Sequence, residues 1–308
     1  VWAGHEDNPG GTYIYTPAKA TLDPFTASVP ELDPAQLATP RPITYTARDK
    51  TEIHGYLTLP PGRADAKGLP LVVLPHGGPQ ARDYAGFDWW AQALASRGYA
   101  VLQPNFRGSG GLGHSFTTAG YGEWGRKMQT DLSDGVTYLA QQGVIDPKRV
   151  CIMGASYGGY AALQAAITDP ALYKAVVAIA PVTDLQALKD YARRFTNYQR
   201  VVEFVGDGPL TISGSPARNA TAMQAPVLMF HGDLDQNVEV GESKLMLSRL
   251  KGAGKKADLI VYDEAQHIKN PLSHTARACK RLKSERDQTK VDAALNALTA
   301  SAKKTSEP

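Results

Sequence analysis

The stretch that decides the fold is Arg149-Val150-Cys151-Ile152-Met153-Gly154-Ala155-Ser156-Tyr157-Gly158-Gly159. Val150 to Met153 is an unbroken apolar run, the pattern of a strand covered on both faces of a parallel sheet. It stops at Gly154, and an alanine-rich segment of helical length, with Ala161, Ala162, Ala165 and Ala166, follows Ser156. Strand, sharp turn and helix are the context in which G-x-S-x-G carries meaning. A serine on such a turn has its hydroxyl lifted above the sheet edge. The Tyr157 backbone N–H then stands at a helix N-terminus, where it can stabilise a developing oxyanion. Gly154 and Gly158 are required because the chain passes itself too closely there for a Cβ.

Reading outward, residues 43–47 and 53–59 alternate about a short turn and predict a hairpin. Residues 69–75 are a buried-strand run leading into His76-Gly77-Gly78-Pro79; 88–97 read as a helix closed by Gly98; a strand begins at Ala100. Residues 104–125 form a long glycine-rich loop, and 131–142 a helix. Beyond Ser156, strands are predicted at 174–180, 225–230 and 259–262, with irregular helices over 185–222 and a helix over 242–250. The alternation predicts an α/β architecture, a doubly wound, mostly parallel sheet after an initial antiparallel hairpin, with ligands at the carboxyl ends of the strands. Residues 1–39 hold one strand-like run, 11–16, and read as a strand remnant and linker ahead of a domain over 40–308.

With 308 residues, 43% of them hydrophobic, the chain can build a sizeable core. Its net charge of +3 is small; eight Lys or Arg fall within 277–304 without interleaved aromatics, which suits a solvated helix face and argues against nucleic acid. Two cysteines, Cys151 and Cys279, suggest neither a disulfide framework nor a metal site. No run has transmembrane length, and 1–20 lack a charged start before an apolar core. The chain reads as soluble, with no membrane partner, compatible with cytoplasm or periplasm and with a homo-oligomer.

A serine hydroxyl needs a base, and the base needs a third group to hold it. In this fold they follow in the order Ser, acid, His, each on its own loop. His231, His267 and His274 come after Ser156. His231 would share its loop with the acid and reads as structural, while His274 sits inside an expected helix. His267, five residues past the last strand, is the expected base. Asp233 and Asp235 are both placed to be the acid, and spacing leaves the choice open. His76, Gly77 and Gly78, after the 69–75 strand, are expected to complete the oxyanion hole with Tyr157.

With these residues in place, the chain resembles the catalytic domain of the prolyl oligopeptidase family of serine peptidases, nearest its acylaminoacyl-peptidase-like and dipeptidyl-peptidase-like members. The resemblance runs over 40–267, through ITYTARDKTEIHGYLTLP (43–60), VVLPHGGPQARD (72–83), YAVLQPNFRGSGGLG (99–113), DPKRVCIMGASYGGYAAL (146–163), APVTDL (180–185), SPARNATAMQAPVLMFHGDLDQNV (215–238) and VYDEAQH (261–267). It implies an α/β-hydrolase fold, a Ser156-Asp235-His267 triad with Asp235 as the acid, and no metal or organic cofactor. It further implies that Asn237 holds a substrate carbonyl and that Tyr157, Val182, Leu185, Leu188 and Val238 form the pocket for the residue before the scissile bond. Arg107, in the matching 99–113 segment, joins these expected substrate contacts. Leu185 and Leu188 replace proline-stacking aromatics, which argues against strict proline selectivity. Ile268 stands where members usually carry glycine. Residues 1–39 match the last strands of the family's β-propeller. The expected activity is acyl-enzyme hydrolysis of peptides; a carboxylesterase and a non-catalytic scaffold are the alternatives.

Overall fold

The computed structural model describes residues 1–262. The chain opens with a three-stranded antiparallel sheet, β1 (Trp2–His5), β2 (Asn8–Thr16) and β3 (Thr21–Ala27), where the sequence predicted one strand and a linker. Every residue of β1 and β3 is exposed, so neither carries the one-sided apolar alternation by which a strand is read. Gln92 fastens this segment to the main body. Its Nε2 donates to the Glu6 and Ala38 carbonyls (3.3 and 2.6 Å), and its Oε1 accepts from the Ala38 N–H (2.9 Å).

The predicted hairpin follows as β4 (Arg41–Thr46) and β5 (Glu52–Thr58). The chain then alternates through β6 (Leu69–Val73), α1 (Trp89–Ala95), β7 (Ala100–Asn105), α2 (His114–Thr118), α3 (Lys127–Gln141), β8 (Ile145–Ala155), α4 (Tyr157–Thr168) and β9 (Tyr173–Ile179). Next come α5 (Leu185–Ala192), α6 (Tyr198–Val205), α7 (Leu210–Ser213), β10 (Val227–Gly232), α8 (Val240–Gly252) and β11 (Ala257–Tyr262). Strands β4 to β11 form one sheet in the order β4-β5-β7-β6-β8-β9-β10-β11. Pairing is antiparallel from β4 to β7 and parallel from there to β11.

Leu71, Val73, Leu102, Val150 and Ile152 have no exposed surface, as expected for strands covered on both faces. Helix α1 starts at Asp88, whose Oδ1 accepts from the Ala91 N–H (2.8 Å). Helix α3 turns Met128, Leu132, Val136 and Leu139 into the core, each stabilising the fold by about 1.5–3 kcal/mol relative to an exposed side chain. On the same helix a Cβ at Gly135 would stand 2.9 Å from both Leu102 Cδ2 and the Tyr45 ring, so only a bare position lets α3 lie this close to β7.

Arg107 is corrected from substrate contact to structural staple. Only 4% of its side chain is exposed. Nε and Nη2 donate to Asp131 (2.9 and 2.7 Å), Nη1 and Nη2 donate to Asp49 (2.6 and 2.9 Å), and its backbone N–H also donates to Asp131 (2.9 Å). Every face of the guanidinium fork is thus committed to carboxylates from the β4–β5 turn and from α3, and the paired Arg107 holds the Asp49 carboxyl well below the usual range.

The winding reverses at β6. The chain leaves β6 for β7 on one side and returns with β8 on the other, which opens a crevice at the carboxyl ends of these two strands. Among the described residues no helix is long and apolar enough to cross a membrane.

Candidate active site

Two loops meet at that crevice. Ser156, between β8 and α4, has φ 56° and ψ −121°, a left-handed backbone that a side chain adopts only under strain, and it is exposed. Its N–H donates to the Ile179 carbonyl (2.8 Å), which fixes the turn to β9. A Cβ at Gly154 would lie 2.4 Å from the Gly158 carbonyl oxygen, and one at Gly158 would lie 2.2 Å from the Pro75 carbonyl oxygen. The two glycines therefore let the turn close on itself and on the loop that follows β6. That loop reaches the serine at Gly77, where a Cβ would stand 3.7 Å from the Ser156 Cβ. Tyr157 N–H is the first donor of α4, a position without an intrahelical acceptor.

The Tyr157 side chain is elsewhere. It is 2% exposed and packs among Phe106, Trp124 and Tyr160, with its hydroxyl accepting from Gln129 Nε2 (3.2 Å). Only its backbone is available to the site. The His76 ring is also committed: it stacks on Phe106 at 4.4 Å, and its Nδ1 donates to the Gly77 carbonyl (2.7 Å). The Ser109 hydroxyl lies 2.8 Å from His76 Nε2 and 2.7 Å from the Phe106 carbonyl, so one proton is shared between two acceptors. Burial pushes the His76 imidazole down to about 4, against the Gly77 carbonyl that favours its charged form, and the ring is neutral at physiological pH.

Asp235 leaves β10 on a turn tied by its own carboxylate, Oδ1 accepting from the Asn237 and Val238 N–H groups (2.9 and 3.1 Å). His231 beside it is 1% exposed, with Nε2 donating to the Val238 carbonyl and Nδ1 accepting from the Ser243 hydroxyl, both at 2.7 Å. Both ring nitrogens are used, so His231 is a loop staple. The Asp233 N–H donates to the Tyr262 carbonyl (2.9 Å), extending the β10–β11 ladder. In register, Ala155 pairs with Ile179, Ile179 with Phe230, and Phe230 with Ile260. The carboxyl ends of β8, β9, β10 and β11 thus lie in one row across the sheet. A cleft lined by Ile179, Ala180, Phe230, Asp235, Asn237 and Tyr262 opens above it. His267 and His274 lie outside the described residues.

Of the expected substrate contacts, Val182, Leu188, Asn237 and Val238 line one pocket. Leu185 does not; it is fully buried, its N–H donates to Ser215 Oγ (2.8 Å), and its Cδ1 lies against Gly214. Asp184 explains this: its side chain caps α5 on the Gln186 and Ala187 N–H groups and so turns the first helical residue, Leu185, into the core. The pocket also holds Tyr191 and Glu242, which the sequence did not single out. An acidic residue in the first turn of a helix was the available signal for Glu242.

Beyond its glycines the loop after β6 is anchored to β7. The Asp83 N–H donates to Asn105 Oδ1 (2.7 Å), and Asn105 Nδ2 donates to the Asp83 carbonyl (3.0 Å). Gln103 Nε2 lies 3.4 Å from both Asp83 Oδ1 and Asp88 Oδ2, and Asp83 Oδ2 is buried without a partner among the described residues. Burial, with the Asp88 charge beside it, pushes the Asp83 carboxyl up to about 7 from an ordinary 3.8. The folded chain therefore holds this proton more tightly than the unfolded one. The resulting stability is full below about pH 4 and is lost as pH rises through about 7. Asp83→Asn is expected to exceed the wild type in stability at about pH 8, by on the order of 2 kcal/mol, and to lose that advantage near pH 4. Urea midpoints at the two pH values check it.

The model of the prolyl oligopeptidase family matches residues 85–287. The chain belongs to the prolyl oligopeptidase family. Similar proteins include dipeptidyl aminopeptidase BIII of Pseudoxanthomonas mexicana, 35% identical over 271 residues that cover 83% of this chain and 39% of that protein. Dipeptidyl peptidase family member 6 of Caenorhabditis elegans is 32% identical over 297 residues, 86% of this chain and 40% of its own. A solved puromycin-hydrolyzing peptidase of Mycobacterium tuberculosis aligns with a TM-score of 0.76 at 25% identity, over 85% of this chain and 41% of its own. The sheet and its helices are the α/β-hydrolase fold. As a prolyl oligopeptidase family chain it spans about two fifths of the length of the curated relatives it matches.

Proposed function

We propose that this chain is the catalytic part of a serine hydrolase that cleaves peptide bonds through an acyl-enzyme. The observation that carries the reading is the strained, exposed Ser156 with the Gly77 backbone against it. In this reading His267 takes the Ser156 proton as Oγ attacks the carbonyl carbon. The negative charge that develops on the carbonyl oxygen is received by the backbone N–H groups of Tyr157 and of the His76-Gly77-Gly78 loop. Asp235, whose Oδ1 is already held by two amides, offers Oδ2 to orient the imidazole. The imidazolium returns its proton to the leaving amine, and water then releases the acyl group. His76 and His231 support the assignment by exclusion, since both rings spend their nitrogens on neighbouring groups.

The test is to compare kcat/KM on peptide p-nitroanilides and acyl p-nitrophenyl esters, with fluorophosphonate labelling of Ser156. Turnover of both substrate classes with one label per chain is expected. Ester turnover alone would replace the peptidase reading with a carboxylesterase. No label on the folded protein would end the claim of catalysis.

A further inference from the structure

The pocket beside the site contains a carboxylate that the proposed chemistry does not use. Glu242, in the first turn of α8, has Oε2 pinned by three donors: the Thr183 N–H (2.6 Å), the Asp184 N–H (2.9 Å) and the Thr183 hydroxyl (2.8 Å). These bonds hold the loop after β9 against α8 and fix where the carboxylate stands. Among the described residues Oε1 has no hydrogen-bond partner. Among the described residues the rest of the lining is Val182, Ala187, Leu188, Tyr191, Asn237, Val238 and Glu239, none of them basic. Nearby cations are engaged by other groups. Lys189 donates to Asp207 and the Gly206 carbonyl, Arg218 pairs with Asp184 at 2.8 Å, and Arg194 lies over the outer wall, 5.0 Å from the Tyr191 ring centroid and 3.7 Å from the exposed Glu239.

A sleeve with apolar sides and a held carboxylate in its lining matches an alkyl stem that carries a positive head. The pocket also adjoins the reacting groups. Val182 follows β9 by three residues, and Val238 is one of the two residues whose amides hold Asp235. We propose that this pocket takes the side chain of the residue whose carbonyl is attacked, and that Glu242 makes it select lysine or arginine there. The proposal rests on the serine hydrolase reading for the identity of the bound residue, while the cation site itself stands on the pocket alone. A neutral aliphatic side chain of equal length would fill the sleeve but shut Glu242 off from water without a partner, which is unfavourable. An acidic side chain would meet two glutamates. Burial already pushes the Glu242 carboxyl up, and an incoming ammonium or guanidinium supplies the charge that its surroundings lack.

The test has a binding arm and a turnover arm. In the Ser156→Ala chain, n-butylammonium and butan-1-ol, which share a stem and differ in charge, are titrated by NMR near neutral pH. The amine is expected to bind about tenfold more tightly or better, and Glu242→Gln, which keeps an acceptor oxygen for Thr183 and Asp184, is expected to bring the two probes within about twofold. In the turnover arm, wild type should cleave a lysyl amide at least about tenfold faster in kcat/KM than its norleucyl counterpart, and Glu242→Gln should erase that ratio. Equal binding of the two probes, or an amine preference that survives Glu242→Gln, overturns the proposal. Cleavage without discrimination sinks the cation site and leaves the hydrolase reading intact; amine binding through Glu242 without any cleavage does the reverse.

Discussion

Ser156→Ala is expected to lower kcat/KM by roughly 10⁴- to 10⁶-fold and to abolish fluorophosphonate labelling, with little change in urea stability. The size follows from what the hydroxyl does in the proposed reaction. Without it no acyl-enzyme forms, and the backbone donors retain only their capacity to polarise a carbonyl toward water. His267→Ala is expected to lose a similar factor, because a base and its nucleophile act as one unit. The double variant should then be no worse than either single one. This pattern is the discriminating measurement for His267, which lies outside the described residues. If His267→Ala keeps near-normal turnover while His274→Ala loses it, the base has been assigned to the wrong histidine. Additive losses in the double variant would show that the two residues do not share a proton.

Arg107→Leu is expected to destabilise the fold by about 3–5 kcal/mol, read as a fall in the urea midpoint at unchanged slope. The substitution leaves Asp131, whose side chain has no exposed surface, with a negative charge and no counter-ion. Asp49, a third exposed, can turn to water. The expected loss therefore comes from the orphaned buried charge rather than from the attraction removed. Replacing Arg107 and Asp131 together with leucine should recover much of the loss, since an apolar pair asks nothing of its surroundings. A single variant as stable as wild type would contradict the staple and reopen Arg107 as a substrate contact.

These two residues also mark where the sequence was and was not legible. Ser156 is readable because its signature is local: a buried run, two glycines and a helix within eleven positions. The parallel core strands announce themselves in the same way, through apolar runs that the structure buries completely at Leu71, Leu102 and Ile152. Arg107 has no such signature. Its partners sit 58 residues before and 24 after it, and nothing in NFRGSGG distinguishes a guanidinium buried between carboxylates from one facing a substrate. Leu185 failed for a related reason. One residue after a capping aspartate, it belongs to the helix face that turns inward, whereas Leu188, three further on, is only partly buried and faces the pocket. Asp83 was invisible as a titrating group because its high proton affinity depends on burial against β7 and on the Asp88 charge, which together outweigh the opposing Gln103 amide. Of the first sheet only β2 is announced in the sequence, by the run over 11–16; β1 and β3 escape because exposed strands have no buried face to betray them.

The left-handed backbone at residue 156 gives the molecule an evolutionary bias. Glycine would occupy φ 56° freely, whereas any side chain there costs on the order of 1–3 kcal/mol. A descendant released from selection for the hydroxyl would therefore gain foldedness by the very mutation that silences it, so drift at this position runs downhill toward inactivity. Only continued use of the side chain opposes that slope.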